Sequence, residues 1–465
     1  MNDLIRSTIA YIQEETGLVG GAYAVIRGDR TEMHCFGQAD RETGRPVTEQ
    51  SFFDIASNSK AFTTMLGAIA CDEGMFDWDK PIQQYDPEFD MVDPYAGSHV
   101  TGRDMACHRT GLGGHDFIRT KVAGTRRDTV LRAKWMGMSH GFREKYEYNN
   151  HMYIALGHTL ERIYGKTWEE MVDKKIARPL GMEMRFRGPN CDLSGLDCAL
   201  PHLTRGREPA ERCGYANSPT SGPCGGVRTN LRSLVKWASL MLHRGVYGDV
   251  RICSDRAYSE LIYPNISCPG EDTEWEMCGQ YALAWHVSCY RGHKMIYHSG
   301  SAGGFNSIIA FIPDSDCAVV VLLNTNGTTG HYILRDMLLD ELLCCPQPDY
   351  RARLEPYKRE MAELAENCGR AASGRELTEE ERAVFCGEFY NPGYDEFTVT
   401  ARDGGVFMNY GGFEARMLMQ EDGTALGYED CALPGYVRLR PCDGGLMMKD
   451  FESLMWHRFT RVERA

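Results

Sequence analysis

Apolar and polar positions follow two different periods along this chain, and each period predicts its own kind of element. Helical spacing of apolar residues predicts amphipathic helices at 3–15, 130–136, 151–163, 231–242 and 332–343. Short apolar or alternating runs between turn residues predict strands at 21–26, 31–36, 281–287, 293–298, 307–311 and 318–324. Because strands occur at both ends of residues 1–345 with helices between them, we expect an α+β domain whose sheet joins distant parts of the chain.

The pattern changes after residue 345. Residues 346–376 are polar and proline-containing, which predicts a connector with a charged helix at about 358–366. From residue 377 to residue 465, short alternating runs separated by Gly/Asp turns predict strands such as 397–400, 406–409 and 415–419. This pattern is typical of a small all-β sandwich or barrel, so the sequence predicts a second domain there.

Composition excludes several function classes. The chain has 465 residues, 43% apolar and 25% charged, as expected for a soluble globular protein. The net charge of -14 and the lack of a dense basic block argue against nucleic-acid binding. No apolar run is long enough to span a bilayer, and the N-terminus does not resemble a signal peptide, so we expect a cytoplasmic protein with no membrane partner. The 18 cysteines are scattered without a Cys-x-x-Cys pair, which predicts free thiols, and neither a metal nor a cofactor is expected.

The most informative chemistry lies in residues 52–66, where Ser57 follows an apolar run and Lys60 comes three positions later. If Ser57 opens a helix, the two side chains share a face and the lysine reaches the serine hydroxyl. A serine becomes a nucleophile when a neighbouring base takes its proton, and a helix N-terminus offers N–H groups to an oxyanion. The alternative interpretation is a capping serine beside a solvated lysine.

Two further motifs accompany that pair. Tyr148-x-Asn150 places a phenol and an amide at a turn just before an apolar helix. His298-x-Gly300 ends a strand and is followed by Ser301. A glycine at that position lets a substrate backbone approach the strand edge, and the next N–H is a candidate second oxyanion donor.

In their order and spacing, the three motifs resemble those of the penicillin-recognising serine hydrolases. The resemblance is to the branch that contains class C β-lactamases, D-peptidases and related esterases. Flanking residues are also similar to that branch, at 21–26, 41–47, 101–104, 108–112 and 223–226. The resemblance covers residues 1–345 and implies an antiparallel sheet with a helical subdomain. Residues 377–465 resemble the β-barrel (lipocalin-like) appendage of some members.

The resemblance implies three catalytic residues. Ser57 is the acylated nucleophile, Lys60 its proton acceptor, and Tyr148 moves the proton to the leaving group and later activates water. Whether Lys60 or Tyr148 is the principal base stays open. Tyr148 also has a plainer interpretation as a packing aromatic.

The resemblance also implies substrate-binding residues. Asn150 bonds Lys60 or a substrate amide, His298 faces the acyl group beside Gly300, and the N–H groups of Ser57 and Ser301 form the oxyanion hole. The alternatives are that Asn150 caps the following helix and that His298 is a structural strand residue. Arg103 and Asp104 are interpreted as a structural ion pair.

One departure from the family pattern bears on the substrate. Typical β-lactamases have Lys-Thr-Gly at the third motif, whereas here it is His298-Ser299-Gly300, and histidine is mostly neutral at pH 7. We therefore expect a hydrolase of a small peptide or acylated amino compound, or of a simple ester, with a free amine or no charge on the acyl side. Asp116 or Glu208 is expected to meet such an amine. The alternatives are a weak β-lactamase and a non-catalytic sensor or scaffold, and the oligomeric state is not predicted.

Overall fold

Two compact units make up the chain. The computed structural model describes residues 3–116, 124–188, 191–204, 210–216, 218–268, 270, 273, 275–359, 362–363, 374–429, 435–450 and 455–463. The first unit comprises Met1–Lys80, Thr101–Cys107 and Leu156–Met361. The second comprises Pro81–Val100, His108–Ala155 and Ala362–Ala465.

The elements are numbered in chain order. The helices are α1 Asp3–Thr16, α2 Lys60–Asp72, α3 Pro94–His99, α4 Gly102–Ala106, α5 Arg126–Arg132, α6 Asn150–Tyr164, α7 Trp168–Val172, α8 Arg178–Leu180, α9 Gly222–Gly225, α10 Leu231–Leu242, α11 Asp255–Leu261, α12 Gly330–Leu342 and α13 Glu379–Phe385. The strands of the first unit are β1 Gly20–Arg27, β2 Arg30–Asp40, β3 Arg45–Pro46, β4 Phe53–Asp54, β5 Met184–Phe186, β6 His202–Leu203, β7 Glu211–Arg212, β8 Val227–Thr229, β9 Val246–Tyr247, β10 Val250–Arg251, β11 Ile266–Ser267, β12 Glu276–Tyr281, β13 His286–Tyr290, β14 His293–Ala302, β15 Phe305–Ile312, β16 Cys317–Leu323 and β17 Thr325–Asn326. Those of the second unit are β18 Gly387–Asn391, β19 Asp395–Arg402, β20 Gly405–Tyr410, β21 Phe413–Met419, β22 Ala425–Glu429, β23 Gly435–Cys442, β24 Gly445–Asp450 and β25 His457–Arg461.

The first unit is built on an antiparallel sheet with the strand order β11-β12-β13-β14-β15-β16-β1-β2-β3. β1 pairs with β16 from Gly21↔Leu323 to Arg27↔Cys317, so the N-terminal hairpin joins the strands that end the domain. β15 and β16 are buried along their whole length because helices cover both faces of the sheet. The sheet therefore joins distant parts of the chain, as the sequence predicts.

The two faces of the sheet pack against different helices. α1 and α12 cover one face through an apolar cluster that includes Ile9, Met337 and Val321. α10 contacts β1, β15 and β16, and its Trp237 stacks on Phe62 of α2 with ring centroids 4.1 Å apart. Since Lys60 is the first residue of α2, this packing fixes the helix that carries the candidate base.

The second unit combines a closed eight-stranded barrel, β18 to β25, with α3, α5, α13 and the first turns of α6. Alternate strand residues point inward, as the burial of every second position in β21 illustrates. Large side chains fill the interior, among them Phe389, Phe397, Met408, Tyr410, Phe413, Met417, Leu439, Met448 and Phe459. The interior is thus a packed core.

The predicted α+β class with a C-terminal all-β region is confirmed, whereas several predicted elements differ in detail. The predicted strand 281–287 is wrong, because β12 ends at Tyr281 and β13 begins at His286. The intervening turn is entirely apolar and buried, and Ala284 takes a φ of +71°, so no polar residue marked it. α5 ends at Arg132, followed by a 3₁₀ turn at Ala133–Trp135, which shortens the predicted helix 130–136.

Other differences concern the connector and one ion pair. Tyr350, Leu354 and Tyr357 of the predicted connector lie in the apolar core of the first unit, while most of the predicted helix 358–366 lies outside the described residues. Arg103 and Asp104 do not pair with each other: Arg103 bonds Asp79 and Glu260, and Asp104 caps α4. No helix in the described part of the chain has the length and hydropathy needed to cross a membrane.

Candidate active site

Ser57 and Lys60 meet in the first unit, as their spacing predicts. Ser57 lies in a 3₁₀ turn, Ala56–Ser59, and α2 begins at Lys60, so Ser57 precedes the α-helix instead of opening it. The Lys60 Nζ donates to Ser57 Oγ at 3.0 Å and to the Cys224 carbonyl at 2.7 Å. Lys60 is buried with 0% exposure, whereas Ser57 is partly exposed. The interpretation of Lys60 as a solvated lysine is therefore wrong.

The backbone that leads into Ser57 is strained and held by hydrogen bonds. Ala56 has a φ of +47°, a conformation that L-residues adopt at a cost of about 1–3 kcal/mol. Its N–H donates to Asp54 Oδ1 at 3.1 Å, and Ile55 N–H donates to the Val227 carbonyl at 3.0 Å. These contacts keep the turn that presents the Ser57 hydroxyl.

A buried ion cluster stabilises the turn that carries Ser57. Asp54 Oδ2 accepts from Arg187 Nε at 2.6 Å and lies 3.4 Å from Arg228 Nε. Their side chains are 1%, 2% and 7% exposed, respectively, so water does not screen the interaction. Arg228 also donates to the Ala216 carbonyl at 3.1 Å, which ties residues 210–216 to the same cluster. Sequence reasoning missed this cluster, although an aspartate within an apolar strand two residues before Ala56 was an available signal.

The strand that carries the third motif lies against the Ser57 turn. β14 pairs with β13 only as far as Tyr297, whereas its pairing with β15 continues to Ala302. A Cβ atom on Gly300 would lie 2.6 Å from Ser307 Oγ and 3.0 Å from Ser57 N, so a side chain there forces the strand away from the turn. Ser301 bonds Asn326 Oδ1 through its hydroxyl at 2.8 Å. The predicted role of its N–H as an oxyanion donor stays a prediction.

His298 is buried, and both of its ring nitrogens have protein partners. Nδ1–H donates to the Ser299 carbonyl at 2.5 Å, and Nε2 accepts from the Tyr281 hydroxyl at 2.9 Å. Burial, followed by the charges of His286 and Lys60, holds the pKa of His298 well below its usual range. Burial and then Arg335 lower the pKa of His286 to about 4. Both rings are therefore neutral at pH 7, and the predicted contact of His298 with an acyl group stays a prediction.

The second unit carries Tyr148 and Asn150. The Tyr148 ring lies beside His108, with centroids 4.4 Å apart. Asn149, rather than Asn150, caps α6, because its Oδ1 accepts from Met152 N–H at 2.8 Å. Asn150 Nδ2 donates to both carboxylate oxygens of Asp116, at 2.8 and 2.9 Å. Asp116 or Glu208 is expected from the sequence to meet a substrate amine. Asp116 contacts Asn150 of the Tyr148-x-Asn150 motif, and Glu208 lies outside the described residues.

Comparison with known proteins identifies the family. A family model described as Beta-lactamase matches residues 5–343, most of the chain. The chain belongs to the β-lactamase family. The predicted relation of this β-lactamase-family protein to penicillin-recognising hydrolases is thereby confirmed.

Its relatives include hydrolases. An unguisins hydrolase of Aspergillus campestris is 28% identical over 367 residues, which cover 75% of this chain and 67% of that protein. The chain spans about two thirds of the length of the fungal hydrolases it matches. A D-alanyl-D-alanine-carboxypeptidase/endopeptidase of Escherichia coli K12 is 24% identical over 352 residues, covering 73% of this chain and 88% of that enzyme. These relations support the coarser prediction of a β-lactamase-family serine hydrolase.

A solved structure shares the whole fold. The octameric penicillin-binding protein homologue from Pyrococcus abyssi superimposes with a TM-score of 0.66 at 20% identity, over 99% of this chain and 100% of that one. At this identity the likeness concerns the fold. It extends over the C-terminal barrel as well as the β-lactamase-family domain.

Proposed function

We propose that this protein hydrolyses an amide or ester bond of a small peptide or acylated amino compound through an acyl-enzyme on Ser57. The observation that carries the proposal is the buried Lys60 side chain, whose Nζ lies 3.0 Å from the partly exposed Ser57 hydroxyl. A buried lysine loses its proton more readily than a solvated one, and a neutral amine accepts the proton of a serine hydroxyl. No metal or organic cofactor has a part in this reaction.

The proposed reaction has two halves. In the first, Ser57 Oγ bonds to the substrate carbonyl carbon, its proton passes to the general base, and the leaving amine or alcohol departs with a proton. In the second, water attacks the acyl-enzyme and releases the acid. Lys60 and Tyr148 share the proton transfers, and the N–H groups of Ser57 and Ser301 bind the oxyanion. Asn150 and Gly300 complete the proposed substrate-binding set with His298.

The proposed substrate is a small peptide, with a D-residue as one option. The named activity of the E. coli relative, a D-alanyl-D-alanine-carboxypeptidase/endopeptidase, supports this class. A neutral His298 gives no permanent charge for a substrate carboxylate, which supports an acyl side that is uncharged or carries an amine.

A fluorophosphonate probe tests the proposal directly. Such a probe phosphonylates an activated serine, and peptide mapping by mass spectrometry locates the adduct. We expect the adduct on Ser57 and none in the Ser57→Ala variant, with unchanged circular dichroism. Labelling at another residue, or an unlabelled folded protein, would overturn the proposed function.

Substrate charge provides a second prediction. Because burial keeps His298 neutral, the kcat/KM ratio of a carboxamide substrate to its carboxylate analogue is expected to favour the carboxamide by about ten-fold. That ratio should show no transition near pH 6.5, because burial holds the pKa of His298 well below that usual value. A ratio that falls toward the carboxylate below pH 6.5 would contradict the prediction, because it would reveal an imidazolium forming near the bound anion.

A further inference from the structure

Within the second unit, the turn that carries Tyr148 is hydrogen-bonded to residues 112–116. Asn149 Nδ2 donates to the Leu112 carbonyl at 3.2 Å and also to the Gly113 carbonyl. Asn150 Nδ2 donates to both oxygens of Asp116. Because Tyr148 directly precedes these two asparagines, a shift of the 112–116 segment moves the turn that carries the phenol.

His115 is the residue through which this segment reaches the barrel. It is 2% exposed and has a φ of +50°, so its backbone conformation needs support from its surroundings. Its Nε2–H donates to the Gly137 carbonyl at 2.9 Å. Nδ1 is then the acceptor of the neutral ring, and it bonds the hydroxyl of Tyr394, the residue just before β19 of the barrel.

The proton positions in this cluster follow from counting donors. Burial lowers the pKa of His115, and burial followed by the charge of His115 lowers the pKa of His457 to about 3, so both rings are neutral at pH 7. Tyr394 has one hydroxyl proton, and His115 Nδ1 requires it. His457 Nε2, 2.6 Å from the Tyr394 oxygen, is therefore the donor. The bonds run in one direction from His457 through Tyr394 to His115 and on to Gly137.

The barrel fixes Tyr394 from the other side. Its ring is 0% exposed and packs edge-on against Phe459, with centroids 5.8 Å apart. Its carbonyl accepts from the Tyr410 hydroxyl, and its N–H donates to the Asn391 carbonyl at 3.1 Å. Tyr394 is thus a rigid point of the barrel core.

Other contacts join the barrel to the helical part of the same unit. Arg132 bonds Asp395 at 3.2 Å, and Gly393 leaves room for Trp135, which lies 3.1 Å from where a Cβ on that glycine would stand. Loss of the Tyr394 hydroxyl alone therefore leaves the barrel in contact with the helical part of the second unit.

We propose that Tyr394 of the C-terminal barrel is a positioning residue for the Tyr148–Asn150 turn and acts through His115. The inference rests on the proposed function of Tyr148 and Asn150. It gives the barrel a part in the reaction: its core supplies a fixed hydroxyl that holds the 112–116 segment, and this segment holds the catalytic turn.

The test compares two hydroxyl deletions in the full-length protein. Tyr394→Phe is expected to slow fluorophosphonate labelling of Ser57, and kcat on any substrate found, by about ten-fold with KM little changed. Tyr258→Phe is the matched control, because it also removes a fully buried tyrosine hydroxyl bonded to a backbone carbonyl, that of Met241 at 2.6 Å, but no bond to Tyr394 or His115. We expect it to change labelling by less than about two-fold. Equal effects of the two substitutions would overturn the inference.

A double-mutant cycle separates positioning from general loosening. Asp116→Asn weakens the contact through which the segment holds Asn150, so Tyr394→Phe should cost markedly less in that background than in the wild type. If Tyr394→Phe slows labelling of Ser57 by the same factor in the wild type and in Asp116→Asn, Tyr394 does not act through residues 112–116.

A readout that does not depend on activity keeps the two proposals distinguishable. The amide of Asn149 donates to His108 Nδ1 and that of Met152 to Asn149 Oδ1. Hydrogen exchange at both amides should accelerate in Tyr394→Phe and not in Tyr258→Phe. If wild type resists the probe, the proposed function fails, and this exchange comparison alone decides whether Tyr394 positions the turn.

Discussion

Replacing Lys60 with methionine is expected to slow acylation of Ser57 about a thousand-fold, within the range usual for loss of a general base. Methionine has nearly the length of lysine and fits a buried site, but its thioether does not accept the serine proton. The Nζ contacts with Ser57 Oγ and the Cys224 carbonyl are lost together. The measurement is the rate constant of fluorophosphonate labelling, followed by intact mass.

The control for this variant is Lys236→Met. Lys236 also donates to a backbone carbonyl, that of Gly181, at 2.5 Å, but takes no part in the proposed site. Its labelling rate should equal that of the wild type. A Lys60→Met protein that labels at the wild-type rate would show that Lys60 is not the base and would leave that role to Tyr148.

Asp54→Asn is expected to lower the free energy of unfolding by about 3–5 kcal/mol, the usual cost of breaking a buried ion pair by removing one partner. Asparagine keeps the shape of aspartate and the acceptor for Ala56 N–H, but it leaves Arg187 and Arg228 without a counter-charge. Chemical denaturation measures the loss. Labelling of Ser57 should also slow, because the strained turn at Ala56 rests on this carboxylate.

Asp79→Asn supplies the matched comparison. Asp79 binds Arg103 at 2.7 Å, yet its side chain is 65% exposed. Because this carboxylate is mostly solvated and Arg103 keeps Glu260 at 2.9 Å as a second counter-charge, the variant should lose no more than about 1 kcal/mol. Similar losses in the two variants would refute the view that burial makes the Asp54 cluster critical.

The sequence predicts elements best where their period is long and regular. β1, α10 and α12 appear close to their predicted positions, since most residues of each are buried in the core of the first unit. The turn at 282–285 was missed because buried apolar residues form it, and composition alone does not distinguish such a turn from a strand. The 3₁₀ turn before α2 was not predicted, because part of its support is remote in sequence: Ile55 N–H donates to the Val227 carbonyl, and Arg187 and Arg228 hold Asp54.

In the candidate site, too, contacts between residues close in sequence were predictable and those between remote residues were not. Short-range spacing predicted the Ser57–Lys60 contact, because three residues fix the distance between two side chains on one turn. Partners remote in sequence were not predictable: Arg187 and Arg228 are 133 and 174 positions from Asp54, and His115 is 279 positions from Tyr394. Such contacts depend on tertiary packing, which a pattern of residue types does not encode locally.

The pairing of β1 with β16 has a consequence for how the protein is made. From the end of β1 at residue 27 to the start of β16 at residue 317, about 290 residues must be synthesised before the strand meets its partner. At about 5–20 residues per second this interval lasts about 15–60 s, during which apolar residues of the hairpin are open to solvent or to a chaperone. The barrel strands β18 to β25 pair mainly with their sequence neighbours, so each finds its partner soon after leaving the ribosome. The N-terminal hairpin is therefore where slow translation or a missing chaperone should first cause this protein to aggregate.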